Sequence, residues 1–195
     1  MKLETQAELS NPDISGLEII PERSERDLRL NLLNKVNGIY SGAILNEKLI
    51  TFLATGFGSG LVPFAPGTAG TLVGVLICLP FIPLPWILRL LFVLALLAFS
   101  FYIADQAEKI YKRKDDQRIV IDEIIGFQIT MLPVAINVLN LCAAFVLFRI
   151  FDIWKPFPVK NTQGLPGGWG IVADDVAAGI YAGAIMWLLM FWGVL

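Results

Sequence analysis

The stretch "IVIDEIIGFQITMLPVAINVLNLCAAFVLFRI", Ile119 to Ile150, decides the fold. It is long, mostly apolar and without strict polar–apolar alternation, so it does not read as strand. Pro133 interrupts it, since proline lacks the N–H and its ring clashes with the preceding helical turn. The spacing predicts two helices, with Pro133–Asn137 as the tip of a hairpin. Asp122 and Glu123 open that hairpin, and Arg149, Asp152 and Lys155 close it.

The same pattern extends in both directions. Upstream, Ala69–Ile82 and Trp86–Ala104 flank a proline-rich tip at Pro80–Pro85. The first of these runs is too short to cross a bilayer, and the second is close to the roughly 20 residues a crossing needs. Downstream, Val176–Leu195 is almost wholly apolar and is the best candidate span. The 195 residues are 56% hydrophobic, with a mean hydropathy of +0.68. A soluble chain is usually about 45–50% apolar. The expected fold is all-α, a multi-helix membrane-associated bundle built from helical hairpins.

Residues 48–195 form the expected helical domain. Residues 1–47 are a polar N-terminal extension, partly helical or disordered. Within it, 1–25 lack a sustained period and read as a mobile tail. From Asp27 to Val36, Leu28, Leu32, Leu33 and Val36 fall on one helical face. No apolar segment lies near Met1, so no cleavable signal peptide is expected.

Several classes of function fall away. A net charge of −2 and the lack of a basic aromatic patch speak against a nucleic-acid partner. The chain has no histidine, which excludes histidine metal ligands and a histidine-based triad. Cys78 and Cys142 lie in apolar runs and read as packing residues.

Basic residues cluster before the first hairpin (Arg23, Arg26, Arg29, Lys35, Lys48), between the hairpins (Lys109, Lys112, Arg113, Lys114, Arg118) and after the second (Arg149, Lys155, Lys160). The positive-inside rule puts all three segments in the cytoplasm. Both hairpins then enter and return, and the last helix crosses. Asp122, Glu123, Asp152, Asp174 and Asp175 thereby meet Arg149 and Lys155 at one membrane face.

Charged groups in that position mark a functional site by default. Carboxylates are ligands for Mg²⁺, which also accepts substrate phosphate oxygens. Arg149 offers a fork to phosphate, and Lys155 a point charge. Arg149 with Asp152, and Asp152 with Lys155, stand at i,i+3. Asp174 and Asp175 would also favour the dipole at a helix start. Adjacent residues on a helix cannot share one face, so Asp122 and Glu123 are expected to supply one ligand and one outer or solvated group.

The segment "GFGSGLVPFAPGTAG", Gly56–Gly70, holds five glycines and two prolines. Glycines let backbone approach an anion, and Thr68 reads as an N-cap with free N–H groups near Ala69, Gly70 and Thr71. Gly58, Ser59, Gly60, Gly67 and Thr68 are therefore candidate phosphate contacts. The glycine spacing fits neither a P-loop nor a dinucleotide fingerprint.

Four ordered motifs, "GFGSGLVPFAPGTAG", "IVIDEIIGF", "FRIFDIWKPFPV" and "GGWGIVADDVAAG", together resemble the phosphatidylglycerophosphatase A family. The resemblance runs from about Thr51 to the C-terminus, roughly three quarters of the chain. It implies a helical bundle and a Mg²⁺-dependent phosphomonoester hydrolase of bacterial inner membranes, acting on phosphatidylglycerophosphate to leave phosphatidylglycerol. The acids it implicates in metal binding and catalysis are Asp122, Glu123, Asp152, Asp174 and Asp175. The site is expected on the cytoplasmic face, with a phospholipid substrate as partner. Two rival classes are weighed. A transporter or channel would put its acids mid-span. A non-catalytic lipid-binding module has little use for five clustered carboxylates, which repel phosphate when no metal is bound.

Overall fold

The computed structural model describes residues 27–33, 46–157 and 167–195. The chain divides into two units, Met1–Ile44 and Leu45–Leu195. In the first, residues 27–33 form helix α1, with every side chain exposed. The tail at 1–25 and the rest of the helix expected to Val36 lie outside the described residues.

The second unit is built from α2 (Glu47–Ala54), α3 (Pro66–Cys78), α4 (Trp86–Tyr111), α5 (Ile121–Met131), α6 (Val138–Trp154) and α7 (Gly168–Phe191). Among the described residues there is no strand, and the fold is all-α. Asn46 caps α2 by accepting from the Lys48 N–H, and Asn137 caps α6 by accepting from the Asn140 N–H. The break expected at Pro133 is present, and so is the tip before Trp86.

The hairpins are arranged differently from a pair of side-by-side loops. Nine of the eleven residues of α5 are buried, and it packs against α3, α4, α6 and α7. It lies between α3 and α4, which are joined in sequence but scarcely touch. Eleven residues rise only about 16 Å, so α5 is a core element and not a crossing helix. Small residues allow this insertion. Side chains at Gly70 and Gly74 would run into Val120 and Phe127 of the α5 segment.

α4 and α7 are long and apolar enough to cross a membrane. Leu88, Leu91 and Leu94 on α4, and Trp187, Leu188 and Phe191 on α7, are exposed. α7 begins at Gly168, well before the apolar run that announced it. The reason is its glycine-rich start, where Gly168 sits against the Phe101 carbonyl of α4 so closely that a Cβ would collide.

At the tip end, Arg89 on α4 donates to the carbonyls of Met131 (2.5 Å) and Val134 (3.0 Å), and Trp86 Nε1 donates to the Leu132 carbonyl (3.0 Å). These bonds supply donors to carbonyls at and just beyond the end of α5, where the helical ladder stops.

Candidate active site

The opposite end of the bundle holds an open cleft of about 430 Å³. Asp122, Glu123, Arg149, Asp152, Lys155, Asp174 and Asp175 all line it, together with Gly67. The elements that bring them there are α5, the end of α6 and the second turn of α7.

One contact sets the approach of α5 and α7. A Cβ on Gly179 would collide with the Gly126 carbonyl oxygen, and one on Gly126 would stand 2.8 Å from the Asp175 carbonyl oxygen. Asp122 and Asp175 lie one helical turn before these glycines, so the backbone contact delivers the two acids to the same place. Thr130, one turn beyond Gly126, donates to the Gly126 carbonyl at 3.0 Å, with the Gly179 carbonyl at 3.4 Å. The spacing Asp-x3-Gly on both helices is the sequence signal for this crossing, a small-residue packing pattern.

Asp122, Glu123 and Asp175 each offer one carboxylate oxygen, all within 4.8 Å of one another. Asp122 and Glu123 both line the cleft although they are neighbours on the helix. Both stand in the first turn of α5, and the longer Glu123 side chain swings toward Gly67, where a Cβ would collide with its Oε1. Glu123 Oε2 is buried with no hydrogen-bond partner among the described residues. Several buried carboxylates facing one another are costly unless a cation joins them. An orphaned oxygen and three hard donors at this spacing fit a divalent ion such as Mg²⁺.

Arg149 Nη1 stands 2.5 Å from Asp152 Oδ2, while its Nε is buried without a hydrogen-bond partner among the described residues. Lys155 does not pair with Asp152. It follows the end of α6 with a positive φ of 45°, and its Nζ donates to Asp174 Oδ2 at 2.5 Å. Burial works against the Lys155 charge, but the bond to Asp174 together with the charges of Asp174, Asp175 and Asp152 outweighs it and holds the pKa above the ordinary lysine value. Asp174 and Asp175 are the seventh and eighth residues of α7. They do not open it, and dipole stabilisation, which fades within the first turn, does not explain them.

The glycine segment is divided. Gly67 lines the cleft; Gly58, Ser59, Gly60 and Thr68 do not. Ser59 Oγ donates to the Thr55 carbonyl, and Gly60 packs against the Arg118 carbonyl. The N-cap of α3 is Ala65, not Thr68. Pro66 supplies a preset φ at the first helical position and has no N–H to satisfy. The Ala69 N–H is already engaged by the Ala65 carbonyl.

The residues missed in sequence are Asp115 and Gln117, which line the cleft from the α4–α5 loop. Their alternates, Asp116 and Arg118, clamp that loop. Arg118 Nε and Nη2 donate to Asp116 at 2.8 and 2.9 Å, and the guanidinium lies 3.9 Å from the centre of the Tyr111 ring. These bonds hold the Asp116 carboxyl below its ordinary range. The only forewarning was a polar run, "KDDQR", between two apolar helices.

A sequence model of the family described as phosphatidylglycerophosphatase A matches residues 52–190. The chain belongs to the phosphatidylglycerophosphatase A family. Two relatives named phosphatidylglycerophosphatase A come from Escherichia coli and Haemophilus influenzae. The first is 39% identical, over 70% of this chain and 81% of that protein. The second is 36% identical, over 73% and 90%. A Bacteroides thetaiotaomicron protein, provisionally named a phosphatidylinositol-3-phosphatase, is 42% identical over 69% of this chain and 89% of its own. No solved structure matches the chain. The family match spans the whole cleft, from Pro63 to Asp175.

Proposed function

We propose that the protein is a Mg²⁺-dependent lipid phosphatase that hydrolyses the terminal phosphomonoester of phosphatidylglycerophosphate to phosphatidylglycerol and phosphate. One observation carries this reading: a cleft with three converging carboxylate oxygens, an orphaned Glu123 oxygen and an Arg149 with an unpartnered Nε, at one end of an apolar bundle. The family and the relatives' names support the lipid.

Asp122, Glu123 and Asp175 would hold the ion. When bound, the ion supplies Lewis-acid stabilisation of charge on the phosphate oxygens. Arg149 donates to the same phosphate through Nε, and Gly67 leaves room for it against the first turn of α3. Asp152, outside the triplet, takes a proton from the attacking water. Lys155, fixed by Asp174, adds positive charge at the leaving side of the cleft. The Lys112–Lys114 run belongs to the loop that lines the cleft, so the positive-inside rule supports a cytoplasmic site in a bacterial inner membrane. The polar ends of the bundle do not fit a channel, whose acids would lie mid-span.

Purified protein in detergent would release phosphate from phosphatidylglycerophosphate with Mg²⁺, lose that activity in excess EDTA and regain it on Mg²⁺ addition. Full activity in EDTA would refute the metal reading. Faster turnover of phosphatidylinositol-3-phosphate would reassign the lipid while leaving the chemistry in place.

A further inference from the structure

The loop from Phe57 to Phe64 displays its apolar side chains to solvent. Phe57, Leu61, Val62 and Phe64 are all exposed, Phe64 at 85%. This loop is not slack. Buried Thr55 receives the Gly58 N–H on both its carbonyl and its hydroxyl, and the Gly60 N–H on its carbonyl. Phe57 and Ala65, neither a glycine, are held at φ of 60° and 49°. A strained, hydrogen-bonded turn thus holds hydrophobic groups outward, where folding alone gives no reason to put them.

The neighbours of this loop point to the occupant. Pro63 and Ala65, on either side of Phe64, line the cleft. Across it, Lys155 lines the cleft between Trp154 and Phe157, exposed at 71% and 82%. The Phe157 carbonyl accepts from the Tyr181 hydroxyl at 3.3 Å, so this bank is also anchored. The loop continues into the exposed strip of Leu72 and Leu76 on α3 and Leu79 just after it. The forty residues from 49 to 88 contain no Asp, Glu, Lys or Arg. A protein partner held by polar or ionic contacts has nothing to grip on that surface, whereas the boundary between lipid headgroups and acyl chains matches it.

We propose that the Phe57–Phe64 loop and the Trp154–Phe157 turn are the two banks by which the cleft sits in a phospholipid bilayer, so that a headgroup enters sideways while its acyl chains stay in lipid. This deepens the lipid-phosphatase reading and rests on it for the identity of the headgroup alone. The seating is tested independently of catalysis. A nitroxide on Phe64→Cys, in a Cys142→Ala background reconstituted in phosphatidylcholine–phosphatidylglycerol vesicles, is expected to collide more with oxygen than with a water-soluble nickel complex. The same label on Lys114→Cys is the aqueous control. Equal collision profiles at the two sites would overturn the proposal, and so would protection of Phe64→Cys from both reagents, which indicates cover by protein. In a second arm, Phe64→Ser should lower kcat/KM several-fold for phosphatidylglycerophosphate in vesicles and leave turnover of a short-chain, water-soluble analogue unchanged, with Phe64→Leu behaving as wild type. Equal loss on both substrates would refute the entry role. If no substrate is turned over by wild type while the collision result holds, the phosphatase reading fails and the seating stands.

Discussion

The two ends of the bundle treat polar groups in opposite ways. At the tips, Arg89 and Trp86 donate to the carbonyls of Met131, Leu132 and Val134 at and just beyond the end of α5, and Gln128 donates to the Gly74 carbonyl at 2.6 Å. At the cleft, Glu123 Oε2 and Arg149 Nε are buried and unpartnered among the described residues, and carboxylates face carboxylates. The first end is closed by its own contacts save for the buried Asn140 Oδ1, a neutral amide oxygen. The second is complete only with something bound. The contrast separates a scaffold from a site without reference to any relative.

The sharpest way to break it is at the acids. Asp122→Asn and Asp175→Asn are each expected to cut turnover per folded molecule by about 100-fold or more, as for groups that hold a catalytic ion. The double variant should fall little further, because residues acting as a unit fail together. Near-normal turnover in either single variant, measured beside circular dichroism, would remove that residue from the site.

Next is the crossing that delivers the acids. Gly179→Ala pushes a methyl into the Gly126 carbonyl. It should destabilise by about 1–3 kcal/mol and lower activity as well, read by thermal unfolding and phosphate release. A gain in stability would mean the contact is looser than described.

At the tip end the two readouts should part. Arg89→Met removes the side-chain donors to the Met131 and Val134 carbonyls, costing about 1–3 kcal/mol, while turnover per folded molecule stays within about 2-fold of wild type. A large loss of turnover would tie the tip to the chemistry and blur the distinction drawn here.

The smallest effect belongs to the clamp behind the cleft. The Asp116 pKa is depressed by Arg118, so its stabilisation is present above the unfolded carboxylate pKa, near 4, and is lost as pH falls through the folded value. The stability gap between wild type and Asp116→Asn should be open at neutral pH and close in acid. A gap that widens toward low pH would contradict the ion pair.

The parts of the fold legible in sequence were those set by local chemistry. Pro133 announced a break because a missing N–H acts wherever the chain goes, and the two proline-bearing tips followed. The insertion of α5 between α3 and α4 was not legible, since it depends on which glycine meets which side chain across the bundle. The start of α7 was missed for a related reason. Its first turns are glycine-rich and acquire helical form by packing on α4, without an apolar period of their own. In the site, the seven charged residues were found because charge in an apolar chain is conspicuous. Asp115 and Gln117 were hidden in a run that looks like ordinary solvated loop, and Gly58, Ser59 and Gly60 looked like an anion cradle because close backbone packing and anion binding ask for the same residue.

The crossing of Gly126 and Gly179 also has a bearing on ion size. It is a fulcrum one turn, about 5 Å, from the carboxylates, so the bite between Asp122 and Asp175 is set by how near two backbones can come. Mg²⁺ demands oxygens at about 2.0–2.1 Å, while Ca²⁺ accepts about 2.3–2.6 Å. On the proposed metal reading, a pair of hydrogens at the fulcrum would favour the smaller ion, and each methyl added there would work as a shim toward the larger one.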